Sequence, residues 1–182
     1  MNKHTTKYVL LIVILAIIAL FLWRSGFNDS GVLSGGSLSK ELTAELGEAE
    51  VYKQGENNFT FSYPQKLNVT ETPLEGIEGG KIILAESGEA KKGFEVVILP
   101  FDESDSLTKE RILQDVPDKV IKNEKKTTVG EGIEALAFES EDKNIGPTFE
   151  IWFVQNGYIY EARTYPEFGP EMQEILKTWK FK

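Results

Sequence analysis

The longest apolar run of the chain lies near its start. Residues 8–23, YVLLIVILAIIALFLW, contain no charged side chain, and Tyr8 and Trp23 stand at the two ends of the run. A helix of this length spans about 24 Å, somewhat less than a hydrocarbon core of about 30 Å. Aromatic residues are enriched where a membrane meets water. The pattern therefore predicts a single transmembrane anchor, preceded by a short basic segment at residues 1–7.

A cleavable signal peptide is the alternative interpretation of this stretch. Signal peptides have an apolar core of about 7 to 15 residues followed by small residues, whereas this run is longer and ends in FLWR. Basic residues flank the run on both sides, so charge does little to set its orientation. A long domain that follows a first apolar segment is most simply exported. We expect a single-pass protein of the cell (inner) membrane, with an uncleaved signal-anchor and its C-terminal domain outside the cytoplasm.

The pattern changes after the anchor. Residues 25–37 are rich in Ser, Gly and Asn, which is the composition of a flexible linker. Leu38, Leu42 and Leu46 then follow at helical spacing and predict one short helix, either a first helix of the domain or a stalk. We assign residues 24–48 to this linker and residues 49–182 to one soluble domain.

Within the domain, short runs that alternate apolar and polar residues predict strands, and two stretches with helical spacing predict helices. One helix falls within residues 102–118, where Ser106 or Thr108 can cap it. The other begins at Pro170, a favourable first residue of a helix. The predicted strands are residues 51–54, 58–63, 81–86, 94–99, 126–129, 133–139, 148–155 and 158–164.

Asn156 and Gly157 separate two of these runs, and an Asn-Gly pair between alternating runs favours a two-residue hairpin turn. The turn determines which residues of the two strands face each other. The predicted pairs are Gln155–Tyr158, Val154–Ile159, Phe153–Tyr160, Trp152–Glu161, Ile151–Ala162 and Glu150–Arg163.

The two faces of this hairpin differ in character. One face is plain core, with Phe149, Ile151, Phe153, Tyr160 and Ala162. The other face combines Trp152, Val154 and Ile159 with Glu161 and an expected cross-strand ion pair between Glu150 and Arg163, which is too apolar for water and too charged for a core. If this face is open, Trp152, Glu161 and Arg163 are the candidate contact with a partner, because aromatic residues and arginine are enriched at interface centres. The preferred interpretation is that a helix covers Trp152, since helical layers on both sides of the sheet need two faces to rest on, and then only the charged rim of Glu161 and Arg163 remains free.

The order of elements, the strand NFTFSYP and the C-terminal EMQEILKTWKFK resemble the PsbP-like family. That family is named after an extrinsic subunit of photosystem II and includes bacterial envelope proteins and distant Ran-binding relatives. The resemblance extends over about residues 50–182. It implies an α+β fold, with an antiparallel β-sheet sandwiched between helices behind the transmembrane helix. Neither matching stretch is catalytic in the family, so it assigns no functional residue here.

Composition excludes several kinds of chemistry. The chain has no cysteine, and its single histidine, His4, precedes the predicted anchor. Thiol catalysis, Ser-His-Asp triads and common zinc sites are therefore excluded from the domain.

The full chain carries 20 Lys and Arg against 29 Asp and Glu. The first 24 residues hold three of the basic residues and no acidic one, so the rest carries 17 minus 29, or a net charge of −12. Such a domain is repelled by phosphate backbones, and we expect no nucleic-acid partner.

The carboxylates offer little catalytic promise. Asp102, Glu103 and Asp105 match no calcium-loop spacing, and the glutamates of the later strands, Glu134, Glu139, Glu150 and Glu161, are expected to be solvated. We therefore expect no enzyme, no cofactor and no metal. The preferred function is a membrane-anchored extracytoplasmic binding or assembly domain for a protein or a small ligand, and we expect a protein partner. The alternatives are a carboxylate-based hydrolase and an accessory subunit that pairs through its transmembrane helix.

Overall fold

A computed structural model of the chain describes residues 38, 40–55, 58–103 and 107–182. The anchor predicted at residues 8–23 and the linker at residues 25–37 lie outside these ranges. Among the helices described, none is both long enough and apolar enough to cross a lipid bilayer.

The described residues form three α-helices, one short 3-10 helix and ten strands. The helices are α1 (Lys40–Leu46), α2 (Lys109–Asp115), the 3-10 turn (Pro166–Phe168) and α3 (Gly169–Lys177). The strands are β1 (Ala49–Gln54), β2 (Phe59–Pro64), β3 (Asn68–Pro73), β4 (Lys81–Glu86), β5 (Gly93–Pro100), β6 (Lys122–Val129), β7 (Ile133–Asp142), β8 (Gly146–Gln155), β9 (Tyr158–Thr164) and β10 (Lys180–Phe181).

The strands form two antiparallel sheets, which corrects the expectation of one. Seven strands follow the order β3-β4-β5-β9-β8-β7-β6, and a smaller sheet has the order β1-β2-β10. The small sheet exists because β2 alternates strongly: Phe59 and Phe61 are both 1% exposed. Strand β2 buries these rings on the large sheet instead of extending its edge. The prediction of an α+β fold with antiparallel strands is confirmed.

The Asn156-Gly157 hairpin has the predicted register at every position. Strand β8 pairs with β9 from Gln155 opposite Tyr158 to Glu150 opposite Arg163. Both turn residues have positive φ, 52° for Asn156 and 78° for Gly157, as a two-residue hairpin turn of this kind requires. Local chemistry was therefore sufficient to predict this part of the sheet.

The first face of the large sheet lies under the larger core. Trp179, just after α3, is fully buried and stacks on both Phe59 and Phe61, with ring centroids 4.6 Å apart in both cases. Leu42 and Leu46 of α1 are buried in the same core. Helix α1 therefore belongs to the folded domain and is not a stalk.

The second face is covered by residues 107–121, which we name the cover segment and which contains α2. Ile112 and Ile121 of this segment are buried against strands of the sheet. Thr108 caps α2 as predicted, because its hydroxyl accepts a hydrogen bond from the Arg111 backbone N–H at 3.2 Å. The large sheet therefore has helices on both faces, as the family resemblance implied.

Gly130, after β6, should tolerate no side chain. Its φ is +53°, and an added Cβ would lie 2.1 Å from the carbonyl oxygen of Trp179. We expect Gly130→Ala to cost about 2 kcal/mol, because backbone must move to relieve the overlap. Gly146→Ala is the matched control, since its φ is +78° but nothing lies within 4 Å. It should cost about 1 kcal/mol from backbone conformation alone. Denaturant unfolding of both variants measures the difference, and equal losses would contradict the close approach to Trp179.

Candidate functional site

The second face of the sheet buries an unusual number of charged groups. Pairing across β5, β9 and β8 places Glu95, Arg163 and Glu150 in one row. The next row holds Val97, Glu161 and Trp152 on the same strands. All three glutamates are at least 92% buried, as their exposed fractions are 3%, 2% and 8%. Buried charges are costly unless they are paired, so their partners decide what this face can do.

Glu150 is held by three donors. Lys119 of the cover segment places its Nζ 2.7 Å from Oε1, and the Thr148 hydroxyl donates to the same oxygen at 2.9 Å. The indole Nε1 of Trp152 donates to Oε2 at 2.9 Å. The Lys119 ammonium also lies 5.2 Å from the centre of the Trp152 ring, within the range of a cation–π contact. Lys119 therefore fastens the cover segment to the sheet through an ion pair that is mostly buried.

Arg163 pairs with Glu95 of β5, its Nε contacting Oε1. This corrects the expectation of a Glu150–Arg163 ion pair. The two residues do face each other in the register, but each has a different ionic partner brought by another segment. Burial raises the pKa of the Glu95 carboxyl, and the charge of Arg163 opposes that rise.

Glu161 is the one carboxyl of this cluster for which the described residues provide neither a hydrogen bond nor an ion pair. Burial raises its pKa to about 7, and the negative charge of Glu150 acts in the same direction. Lys119 and Arg163 partly oppose this shift. With Glu161 neutral, two carboxylates face two cations and the cluster is electrically balanced. Ionisation of Glu161 adds one uncompensated buried charge.

The predicted contact residues are brought together but are not openly exposed. Trp152 is 3% exposed, Glu161 is 8% exposed and the Arg163 side chain is 12% exposed. The open-face interpretation of Trp152 is therefore wrong, and the covered interpretation is correct. The cover comes from residues 107–121, whereas the C-terminal helix α3 lies on the opposite face. Whether Glu161 or Arg163 contacts a partner stays a prediction.

The glutamates considered for acid-base chemistry fall into two groups. Glu134 and Glu139 are exposed, as expected. The expectation of solvation is wrong for Glu150 and Glu161, because the cover segment buries the middle of this face. Within the described part of the chain, no group of three or more acidic or histidine side chains is placed to hold a metal ion.

Sequence reasoning missed Glu95 and Lys119. A signal for Glu95 was present, since it is a single charge within the apolar strand FEVVIL, and such a charge needs a buried partner. Lys119 carried no comparable signal, because it lies in a polar stretch 31 residues before Glu150.

An open groove lies on the same face of the sheet, at the end that the cover segment does not cover. It has a volume of about 530 Å³. Lys126 and Thr128 of β6, Glu134 of β7 and Val154 of β8 line it on the sheet side, and Leu107 and Thr108 line it on the side of the cover segment. This volume is within the usual range of ligand sites. Its lining combines aliphatic carbon, hydroxyl groups and one charge of each sign.

Comparison with known proteins bears on the fold. No protein-family model matches the sequence, and no curated protein matches it. The structure is similar to the solution structure of cyanobacterial PsbP (CyanoP) from Synechocystis sp. PCC 6803, with a TM-score of 0.50 and 11% sequence identity. The match covers 86% of this chain and 99% of that chain. The fold is PsbP-like.

The PsbP-like fold confirms the resemblance found in the strand NFTFSYP and the C-terminal helix. At 11% identity the similarity concerns the fold alone, so no residue acquires a role from it. The groove and the buried charge cluster must be interpreted from their own chemistry.

Proposed function

We propose that this protein is a membrane-anchored, extracytoplasmic binding or assembly module that acts without catalysis. Residues 8–23 form its transmembrane anchor, residues 25–37 form a flexible tether, and the PsbP-like domain binds a partner in the groove beside β6. The groove is the observation that carries this proposal. It has a volume of about 530 Å³ and lies between strands β6, β7 and β8 on one side and Leu107 and Thr108 of the cover segment on the other.

The groove suits binding better than hydrolysis. Its lining includes one carboxylate, that of Glu134, whereas glycoside hydrolysis generally needs a pair of carboxylates on either side of the reacting bond. Two other carboxylates of this face, Glu95 and Glu150, are buried and paired with Arg163 and Lys119, respectively. Leu107 and Val154 supply apolar contact area, and Thr108 and Thr128 supply adaptable hydrogen bonds.

The anchor and the charge of the domain support the same function. An apolar run of sixteen residues is too long for the core of a signal peptide. A net charge of −12 beyond residue 24 repels the domain from anionic headgroups, so the linker holds it near the membrane without docking it there.

The absence of native cysteine allows a direct test of topology and groove access. Thr128→Cys, in the groove, should react with a membrane-impermeant maleimide in intact spheroplasts. Thr5→Cys, before the anchor, should react only after the membrane is permeabilised. Both expectations follow from an exported domain with a retained anchor. The reversed labelling pattern, or a mature chain that begins after Trp23, would contradict the proposal.

Partner binding has its own measurement. A photoreactive maleimide at Thr128→Cys should cross-link one discrete species in membranes, and the same reagent at Lys143→Cys should not. Lys143 is exposed in the β7–β8 turn, outside the groove. Equal cross-linking at both positions would show random collision and would count against the groove.

A further inference from the structure

The outer edge of β6 borders the groove. Strand β6 is the last strand of the large sheet, and its residues Lys125 to Val129 pair with β7 in continuous register. In the described part of the chain, no backbone hydrogen bond joins the other edge of residues 125–128 to another segment. The successive residues 126–128 all line the groove. A free strand edge beside a groove is the arrangement that accepts an extended peptide as an additional strand.

The free edge is basic, although the domain is acidic. Lys125 and Lys126 are exposed, and neither forms an ion pair with any described residue. Other lysines nearby are engaged: Lys122 pairs with Glu141 at 3.4 Å, and Lys109 pairs with Glu124 at 3.4 Å. Exposed lysines on an edge strand discourage self-pairing between copies of a protein. They favour an incoming strand that carries carboxylates at the facing positions.

We propose that residues 125–128 and the adjoining groove bind an extended acidic segment of a partner protein as an eighth strand of the large sheet. This inference rests on the proposed function and specifies the class of partner for the same site. Successive residues of a strand point to opposite faces of the sheet, so Lys125 and Lys126 lie on opposite faces. Two consecutive acidic residues on the incoming strand would place one carboxylate beside each lysine.

The rest of the groove selects the residue two positions before the acidic pair, because an incoming strand that runs antiparallel to β6, like the neighbouring strands of this sheet, meets Thr128 first. That residue lies opposite Thr128, on the groove side, where Val154 and Leu107 provide apolar surface. Glu134 of β7 pairs with Thr128 of β6, and its negative charge disfavours another carboxylate opposite Thr128. The expected motif, read from its N-terminus, is therefore an aliphatic residue, any residue, and then two acidic residues. The acidic surface elsewhere on the domain repels such a segment and so directs it to this edge.

Fluorescent blocked octapeptides test this motif against the full-length chain in a mild detergent. The acidic probe contains Val-Thr-Glu-Glu within a Thr-rich frame, and the basic probe replaces both glutamates with lysines. We expect the acidic probe to bind at least tenfold more tightly in fluorescence anisotropy. The double variant Lys125→Glu with Lys126→Glu should weaken the acidic probe at least tenfold and reverse the preference. Its melting temperature should stay unchanged, since both side chains are exposed.

The matched control is Lys53→Glu with Lys143→Glu, which makes the same change in net charge at exposed positions away from β6. It should alter affinity less than twofold. Equal binding of the two probes, or equal losses in the two double variants, would overturn the inference. Cross-linking at Thr128→Cys separates this result from the proposed function. A partner that is captured there and is indifferent to the Lys125 and Lys126 reversal would retain the binding module and exclude the acidic class.

Discussion

Trp152→Ala is expected to cost about 3 to 5 kcal/mol of folding free energy, the range typical of a buried tryptophan. Trp152 is 3% exposed and packs against Phe138, with ring centroids 5.7 Å apart. Its loss leaves a cavity beneath the cover segment. It also removes the indole donor to Glu150 and the ring beneath the Lys119 ammonium. Three contributions therefore act in the same direction.

Trp152→Phe is the matched control, because it keeps most of the buried ring and removes the hydrogen bond to Glu150. Hydrogen bonds to charged groups contribute about 1.5 to 3 kcal/mol, so this variant should lose about that amount. Urea unfolding of the full-length chain in a mild detergent measures both variants. A loss under about 1 kcal/mol for Trp152→Ala would mean that the face is open in solution and would restore Trp152 as a direct contact.

Glu161 is expected to make the protein less stable as the pH rises through 7. Burial raises the pKa of this carboxyl to about 7, above the ordinary glutamate value of 4.5. A raised pKa in the folded state means that the stabilisation is fully present below the unfolded value and is lost as the pH passes through the folded value. A difference of about 2.5 units corresponds to about 3 kcal/mol. The loss should develop between about pH 4.5 and pH 8.

Glu161→Gln isolates this effect, because the amide has nearly the same shape and does not ionise. The variant and the wild type should have similar stabilities near pH 4.5. Near pH 8.5 the variant should be more stable by about 3 kcal/mol, since the cluster of Glu95, Glu150, Lys119 and Arg163 then holds no excess charge. Urea unfolding at a series of pH values measures the difference between the two proteins. A difference that does not change with pH would show that Glu161 is solvated or has an unrecognised partner.

The two effects act on the same contact between the cover segment and the sheet. Lys119 reaches Glu150 over the Trp152 ring, and Glu161 lies beside Trp152 across the β8–β9 pair. Ionisation of Glu161 and truncation of Trp152 should therefore be coupled in a double-mutant comparison. The groove lies at the N-terminal end of the same cover segment, where Leu107 and Thr108 form part of its wall.

Local patterns predicted much of the large sheet. The Asn156-Gly157 turn specifies its own register, because a two-residue hairpin allows one alignment of the flanking strands. The alternation in NFTFSY predicted the buried rings of Phe59 and Phe61. Strand β3 was not predicted, because five of its six residues are exposed and its sequence NVTETP has no apolar alternation.

The candidate site was predicted only in part. Register alone placed Trp152 beside Glu161 and Glu150 opposite Arg163. The ionic partners could not be found in this way, because Lys119 comes from a segment 31 residues before Glu150. Glu95 comes from strand β5, which is also far in the sequence from its partner Arg163. A charge on a strand pairs with whatever folds over it, and that choice depends on packing between distant parts of the chain.

The amino-acid sequence alone was sufficient to exclude thiol and histidine chemistry from the domain, to predict the alternating strands and to align the final hairpin. These features depend on composition and on neighbours along the chain. Contacts between residues far apart in the sequence determined three other features: the face that is covered, the position of β2 and the sheet edge that borders the groove. The mixed face of Trp152, Glu161 and Arg163 carried no local signal that distinguished an open surface from a covered one, because residues 107–121 cover it only when the whole sheet has formed.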